Sequence, residues 1–296
     1  MLDYKLIEAL SMVAREGGFD KAAKALNITQ SAVSQRLKLL EEQTGQILIA
    51  RTTPPKATSA GQKLLNHYLK VKRLEDDLFR ELDESGKKDF TSIAVGINAD
   101  SLALWLLDAI HPFLLEEKVL LDIRANDQEQ THKLLKDGEV IGCISSQDQA
   151  MQGCRIEYIG LMNYRMMASP EFAAKWFPEG LNVEDVRRAP AVIFDRHDEL
   201  HHKLLFQALN EAPSFFPNHY VPSVEKFADF ISLGLAYGML PDQQSASLVK
   251  AGKMINLSPD CHVPVKLYWH CWNLKSDLLE KLTKHLIRKA KTVLVK

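Results

Sequence analysis

The sequence predicts two architectures in one chain: an all-helical N-terminal quarter, and behind it an α/β body made of two similar halves. Three observations carry this. Short helical periods with a basic balance fill the first 74 residues. One long helical pattern then runs from about Ser59 to Glu84. From Ser92 onward, apolar strand-like runs alternate with amphipathic stretches, the pattern of a largely parallel sheet, and the alternation restarts near Asn163.

Charge separates the same regions. Residues 1–74 hold 12 Lys+Arg against 6 Asp+Glu, a net of +6, and the remainder holds 25 against 32, a net of −7. A basic quarter on an acidic body points to a polyanionic partner for the N-terminus. Hydrophobic content of 46% and charged content of 25% are ordinary for a globular chain. No apolar run approaches the ~18–20 residues that span a bilayer, so no membrane partner is expected. The start, MLDYKLIEAL, carries Asp3 and Glu8 where a secretory leader is basic, so the expected compartment is the cytoplasm. Cys143, Cys154, Cys261 and Cys271 form no C-x-x-C pair, which argues against a disulfide framework or a zinc site.

In the N-terminal quarter, Leu6, Ile7, Leu10, Val13 and Ala14 give a helix over Tyr4–Arg15, stopped by Gly17 and Gly18. Asp20 is the expected N-cap of a second helix, Lys21–Leu26, with small Ala22 and Ala23 for close packing. After Asn27-Ile28-Thr29, Thr29 can cap a third helix from Gln30. On it Val33, Leu37 and Leu40 share one face. The opposite face is then Gln30, Ser31, Ser34, Gln35 and Lys38. A solvated helix face is usually rich in Glu and Lys. Short hydroxyls and amides instead suit hydrogen bonds to base edges, and a helix fits the major groove of DNA.

Two short apolar stretches around Pro54-Pro55 suit a two-stranded wing, with Arg51 and Lys56 placed for backbone phosphates. In the long helix, Leu64, Tyr68, Val71, Leu78 and Leu82 form one seam and Leu65, Leu69 and Phe79 a second. Such a helix pairs with another chain or packs on its own body. A two-fold dimer would match two DNA half-sites.

These residues resemble a known family. "AAKALNITQSAVSQRLKLLEEQTGQILIAR", followed by "ATSAG", is similar to the winged helix-turn-helix signature of LysR-type transcriptional regulators. "NADSLALWLL", "DGEVIGCISSQDQAM", "APAVIFDRHDELHH" and "KLYWHCW" narrow the resemblance to a branch responding to basic amino acids. One departure is Ile49, where the family usually has an aromatic or bulkier residue. The resemblance implies a winged helix-turn-helix over 1–58, a linker and dimerisation helix over 59–89, and an effector-binding domain over 90–296. That domain would have a periplasmic-binding-protein-like fold, with subdomain 1 at 90–162 and 265–296 and subdomain 2 at 163–264. It further implies a homodimer or tetramer, contact with RNA polymerase, lysine or arginine as effector, no cofactor, and a cleft whose closure repositions the DNA-binding domains.

In an α/β body of this kind a ligand sits between the halves, at strand ends where helices begin. The residues at those positions are Asn98, Asp100 and Ser101 after the first strand, and Ser145, Ser146 and Gln147 after the third. Asp195 and Asp198 follow "AVIF", and Ser223 and Glu225 open a later helix. A basic amino acid needs amides for its carboxylate and carboxylates for its cation. The competing role for each carboxylate is to cap a helix, which suits Asp100 and Asp198.

Catalysis finds little support. "HDELH" (197–201) displaces the Glu of a metalloprotease H-E-x-x-H by one position, and its histidines are expected to be solvated. There is no G-x-S-x-G elbow, no phosphate loop and no G-x-G-x-x-G after a strand. The alternatives to an amino-acid-responsive regulator are a LysR-type regulator with another coinducer, and a ligand-independent architectural or replication-origin DNA binder.

Overall fold

The computed structural model describes residues 2–50, 52–82, 90–126 and 128–296. The N-terminal part is α1 (Tyr4–Glu16), α2 (Phe19–Ala25), α3 (Gln30–Thr44), and a wing of β1 (Ile49–Ala50) and β2 (Lys56–Ala57). Gly17 and Gly45 end α1 and α3 in the left-handed conformation that glycine adopts without strain. Thr29 caps α3 as expected, its Oγ accepting from Ala32 N at 3.2 Å. Asp20 does not cap α2. The helix begins two residues earlier, at Phe19 with Gly18 at the cap, and Asp20 lies in the first turn, where its charge suits the helix dipole. Leu6, Ile7, Leu10, Val13, Ala22, Val33, Leu37, Leu40, Leu48 and Ile49 form the core, so the departure at Ile49 is a buried packing position.

The long helix α4 (Ser59–Leu82) corrects the two-seam expectation. Leu65 and Tyr68 are buried in the N-terminal core of the same chain, and Leu69 touches that core and the body core. Leu74, Leu78, Phe79 and Leu82 remain exposed. Only the C-terminal half of the helix therefore offers an unoccupied apolar stripe.

The body begins with β3 (Thr91–Asn98), then α5 (Ala99–Ser101), a π-helical turn (Leu102–Leu106) and α6 (Leu107–Glu116). β4 (Val119–Asn126), α7 (Gln128–Lys136) and β5 (Gly142–Ser145) complete the first lobe. After β6 (Cys154–Ala168) come α8 (Pro170–Trp176), α9 (Val183–Val186), β7 (Ala191–Ile193) and α10 (Leu200–Leu209). β8 (Asn218–Tyr220), α11 (Val224–Ser232), β9 (Tyr237–Pro241), α12 (Asp242–Lys250) and β10 (Ile255–Asn256) complete the second lobe. β11 (Val263–Trp272) and α13 (Asp277–Val293) close the chain.

These body strands form one sheet, β4-β3-β5-β11-β6-β9-β7-β8, with β10 on β6. Within each lobe the pairs β3/β4, β3/β5, β7/β8 and β7/β9 are parallel. The centre departs from the largely parallel expectation, because β6 and β11 pair antiparallel with each other and with their neighbours. The ladder slips between Leu267 and Tyr268, opposite Gly160, whose φ of +130° favours glycine. Both long strands pass from one lobe to the other, so the positions 162/163 and 264/265 fall inside continuous strands. The C-terminal helix α13 returns to the first lobe, where Lys281 Nζ reaches Glu117 at 2.7 Å and Lys289 reaches Asp108 at 3.4 Å.

Candidate nucleic-acid interface and ligand cleft

On α3 the burial pattern divides the helix in two. Val33, Leu37 and Leu40 face the core, while Gln30, Ser31, Ser34, Gln35 and Lys38 are all exposed. Two of these already have neighbours: Ser31 Oγ lies 2.9 Å from Thr29 Oγ, and Lys38 lies 3.8 Å from Glu42. Ser34 and Gln35 stand between them on the helix. Lys56 is exposed on β2 of the wing, and Arg51 lies outside the described residues. The wing is held to α3 and closed at its base. Glu41 Oε1 accepts from Leu48 N at 2.8 Å, and Thr58 Oγ donates to Ile47 O at 2.7 Å. An exposed polar helix on an anchored three-helix core, with a wing beside it, can enter a major groove while the wing meets the backbone.

The second site lies between the lobes. A pocket there is lined by Asp100, Tyr164, Phe194, Asp198, Leu200, Val224, Phe227, Met239, Leu240, Pro241 and Gln244. Asp100 comes from the first lobe and Asp198 from the second. Tyr164, buried on the crossing strand β6, donates its hydroxyl to Asp100 Oδ2 at 2.5 Å. Burial pushes the Asp100 carboxyl above its ordinary range; the Tyr164 bond opposes this and the Asp198 charge adds to it. Asp198 also closes the turn that leads into α10, its Oδ1 accepting from Leu200 N at 2.9 Å, one residue before the Glu199 cap. On α12, Gln244 donates from Nε2 to Val224 O at 2.9 Å.

Of the ten ligand candidates read from sequence, Asp100 and Asp198 line this cavity. Asn98 and Ser101, close to Asp100 in sequence, are buried, and their side-chain polar atoms have no hydrogen-bond partner among the described residues. The others are engaged in local structure or exposed. Ser145 is fully buried and its Oγ accepts from Gln147 N at 3.2 Å, while the Gln147 carbonyl meets His270 Nε2 at 2.8 Å. Ser146 is half-buried. Asp195 holds His197 N at 2.7 Å, Ser223 caps α11 through Lys226 N at 3.4 Å, and Glu225 is exposed. Sequence reasoning misses Tyr164, which reads only as part of a strand, and Gln244, because the pattern does not reveal α12. The expectation of a solvated His201 is also corrected. That ring is fully buried against Phe216 and Tyr237, with neither nitrogen bonded among the described residues, and burial lowers its pKa to about 4. Among the described residues no group of three His, Cys, Asp or Glu is placed to hold a metal, and no helix is long and apolar enough to cross a membrane.

Comparison with known proteins bears on both sites. Residues 4–62 match the model of the bacterial regulatory helix-turn-helix protein, lysR family, and residues 91–291 match the LysR substrate binding domain. The HTH-type transcriptional regulator ArgP of Pseudomonas aeruginosa is 41% identical over 299 residues, covering 100% of this chain and 98% of the relative. Among solved structures, ArgP from Mycobacterium tuberculosis superposes with a TM-score of 0.91 at 34% identity, covering 100% of this chain and 99% of that one. Full-length LysG from Corynebacterium glutamicum with bound effector Arg gives a TM-score of 0.83 at 30% identity, covering 100% of both chains.

Proposed function

Because this chain belongs to the LysR family of bacterial regulatory helix-turn-helix proteins, and is a transcriptional regulator and not an enzyme, we propose that its effector is lysine or arginine, bound between the lobes, and that it controls promoters of basic-amino-acid export or metabolism. One observation carries the ligand assignment: Asp100 and Asp198 reach a single cavity from opposite lobes, with no Lys or Arg among the lining residues. Two carboxylates without a counter-cation favour a cationic occupant. LysG, similar over its whole length, was solved with arginine bound, which supports the same class here.

The roles divide along the chain. The 1–58 segment binds promoter DNA, with Gln30, Ser31, Ser34, Gln35 and Lys38 toward the groove and Arg51 and Lys56 toward phosphates. The 59–89 segment joins two chains, a role supported by the exposed Leu74, Leu78, Phe79 and Leu82. The 90–296 segment senses the effector and passes its state to RNA polymerase on nucleoid DNA, with subdomains meeting along β6 and β11.

The test is a mobility-shift and footprinting titration on DNA beside its own gene and beside a basic-amino-acid exporter gene. It is run without ligand, with L-lysine and with L-arginine, at one salt concentration because phosphate contacts make affinity steeply salt-dependent. A specific complex whose affinity or footprint changes with either amino acid is expected. Specific binding indifferent to both would overturn the effector assignment and favour another coinducer or none.

A further inference from the structure

The polar wall of the cavity is one-sided. Tyr164 spends its only hydrogen on Asp100, and Asp100 and Asp198 are carboxylates. The fourth polar group is Gln244, whose amide could in principle present either end. Its Nε2 is committed to Val224 O at 2.9 Å. Turning the amide over would lose that bond and set oxygen against oxygen. The Oε1 atom of this wall residue is therefore fixed as the amide's other end, buried without a partner among the described residues. A buried acceptor left unmet costs free energy that an incoming N–H donor restores. An ammonium brings three such donors and a guanidinium five, with no acceptor on either.

We propose that Gln244 is a specificity-determining residue of the effector site: its Oε1 accepts an N–H from the cationic end of the ligand and completes an acceptor-only wall that refuses neutral isosteres. The inference rests on reading the cleft as a basic-amino-acid site. Citrulline, which replaces one guanidinium nitrogen of arginine by a carbonyl oxygen, has no charge for the carboxylates and can meet Gln244 oxygen to oxygen. Because Val224 opens α11, the same side chain also braces two helices of the second lobe, and the experiment must separate bracing from recognition.

Two substitutions do so. Gln244→Met removes both the donor to Val224 and the acceptor, whereas Gln244→Glu removes the donor and keeps an acceptor. Titration calorimetry of the full chain with L-arginine, L-lysine and L-citrulline is read beside thermal melting. The Met variant is expected to lose affinity for whichever cationic amino acid binds best by about tenfold or more and to discriminate less against citrulline. The Glu variant is expected to bind the cation at least as tightly as the unsubstituted chain. Met and Glu variants losing affinity together, with equal falls in melting temperature, would make Gln244 a brace and overturn the proposal. Unchanged binding by the Met variant would overturn it alone. Failure of the unsubstituted chain to bind arginine or lysine would overturn the cleft reading and this inference with it.

Discussion

Replacing Asp100 by Asn should separate the two things that a buried carboxylate does in an empty cleft. The carboxylate is dried by burial and faces Asp198, and both effects hold its pKa above the ordinary value. An acid that binds its proton more tightly when folded costs stability as pH rises from its unfolded pKa through the raised folded one, and the cost is fully present at higher pH. Asn keeps an oxygen for the Tyr164 hydroxyl, which now lies 2.5 Å from Oδ2, and removes the charge. The ligand-free variant should therefore melt higher than the parent at pH 7.5.

Binding should move the other way. On the proposed reading, with Oδ2 taken by Tyr164, a bound cation loses one charge-assisted hydrogen bond at Oδ1, worth about 1.5–3 kcal/mol or roughly 10- to 100-fold in Kd. Calorimetric titration with L-arginine and L-lysine, beside thermal melting without ligand, measures both. Arginine and lysine binding as tightly as in the parent would place the cation elsewhere. A fall in melting temperature would show that the charge is not penalised in the empty cleft.

Three other substitutions test separate parts of the structure. Gly61→Ala sets a methyl against the Leu48 carbonyl, where α4 crosses the wing. The expected loss is about 1–3 kcal/mol, and a parental denaturation midpoint would contradict this packing. His201→Leu removes a ring whose pKa, lowered from 6.5 to about 4 by burial, makes the folded chain lose stability as pH falls through that window and none above it. The variant should show a flatter stability profile between those pH values, and an equally steep one would exclude His201 as the cause. Ser34→Ala with Gln35→Ala should weaken specific DNA binding by about 1–3 kcal/mol for each base-edge hydrogen-bonding pair removed, whereas unchanged discrimination between operator and unrelated DNA would remove both residues from the reading face.

How much was legible in the sequence follows from how local each signal is. Thr29 caps α3 through a neighbour three residues away, and Val33, Leu37 and Leu40 mark a face by periodicity, so the reading helix can be placed within the chain. The Asp100 and Asp198 positions follow from strand ends. Tyr164 and Gln244 were not legible. Tyr164 reads as a core strand residue, and its hydroxyl gains meaning only from Asp100, 64 positions away. α12 buries only Ser245 on a largely polar helix, so "DQQSASLVK" has no apolar stripe to announce it. Periodicity makes the linker a uniform seam because it does not distinguish the leucines that meet their own chain. Burial of His201 escapes for the same reason: four residues from an exposed His197, it turns inward onto Phe216 and Tyr237.

The placement of α4 limits how an effector signal can travel. Leu65 and Tyr68 weld the helix to the DNA-binding core. Gln62 donates to the Asp137 carbonyl, Asn66 to the Lys136 carbonyl at 2.8 Å, and Arg80 to the Lys118 carbonyl at 3.2 Å, all in the first lobe. The DNA-binding domain, α4 and first lobe thus form one packed body, to which the second lobe is tied through β6 and β11. On the proposed reading, a ligand held by Asp100 and Asp198 draws the second lobe toward that body while leaving the α3 face of its own chain where it was. A change in DNA binding then requires a second chain that feels the lobe move, with a coupling of about 1–3 kcal/mol. Leu78→Asp with Phe79→Asp, on the exposed stripe of α4, should give a monomer by sedimentation that binds arginine or lysine with parental affinity. Its affinity for DNA should fall and should no longer change when the amino acid is added. A monomer whose DNA affinity still responds would show that the signal passes within one chain, through the hydrogen bonds of Gln62 and Asn66.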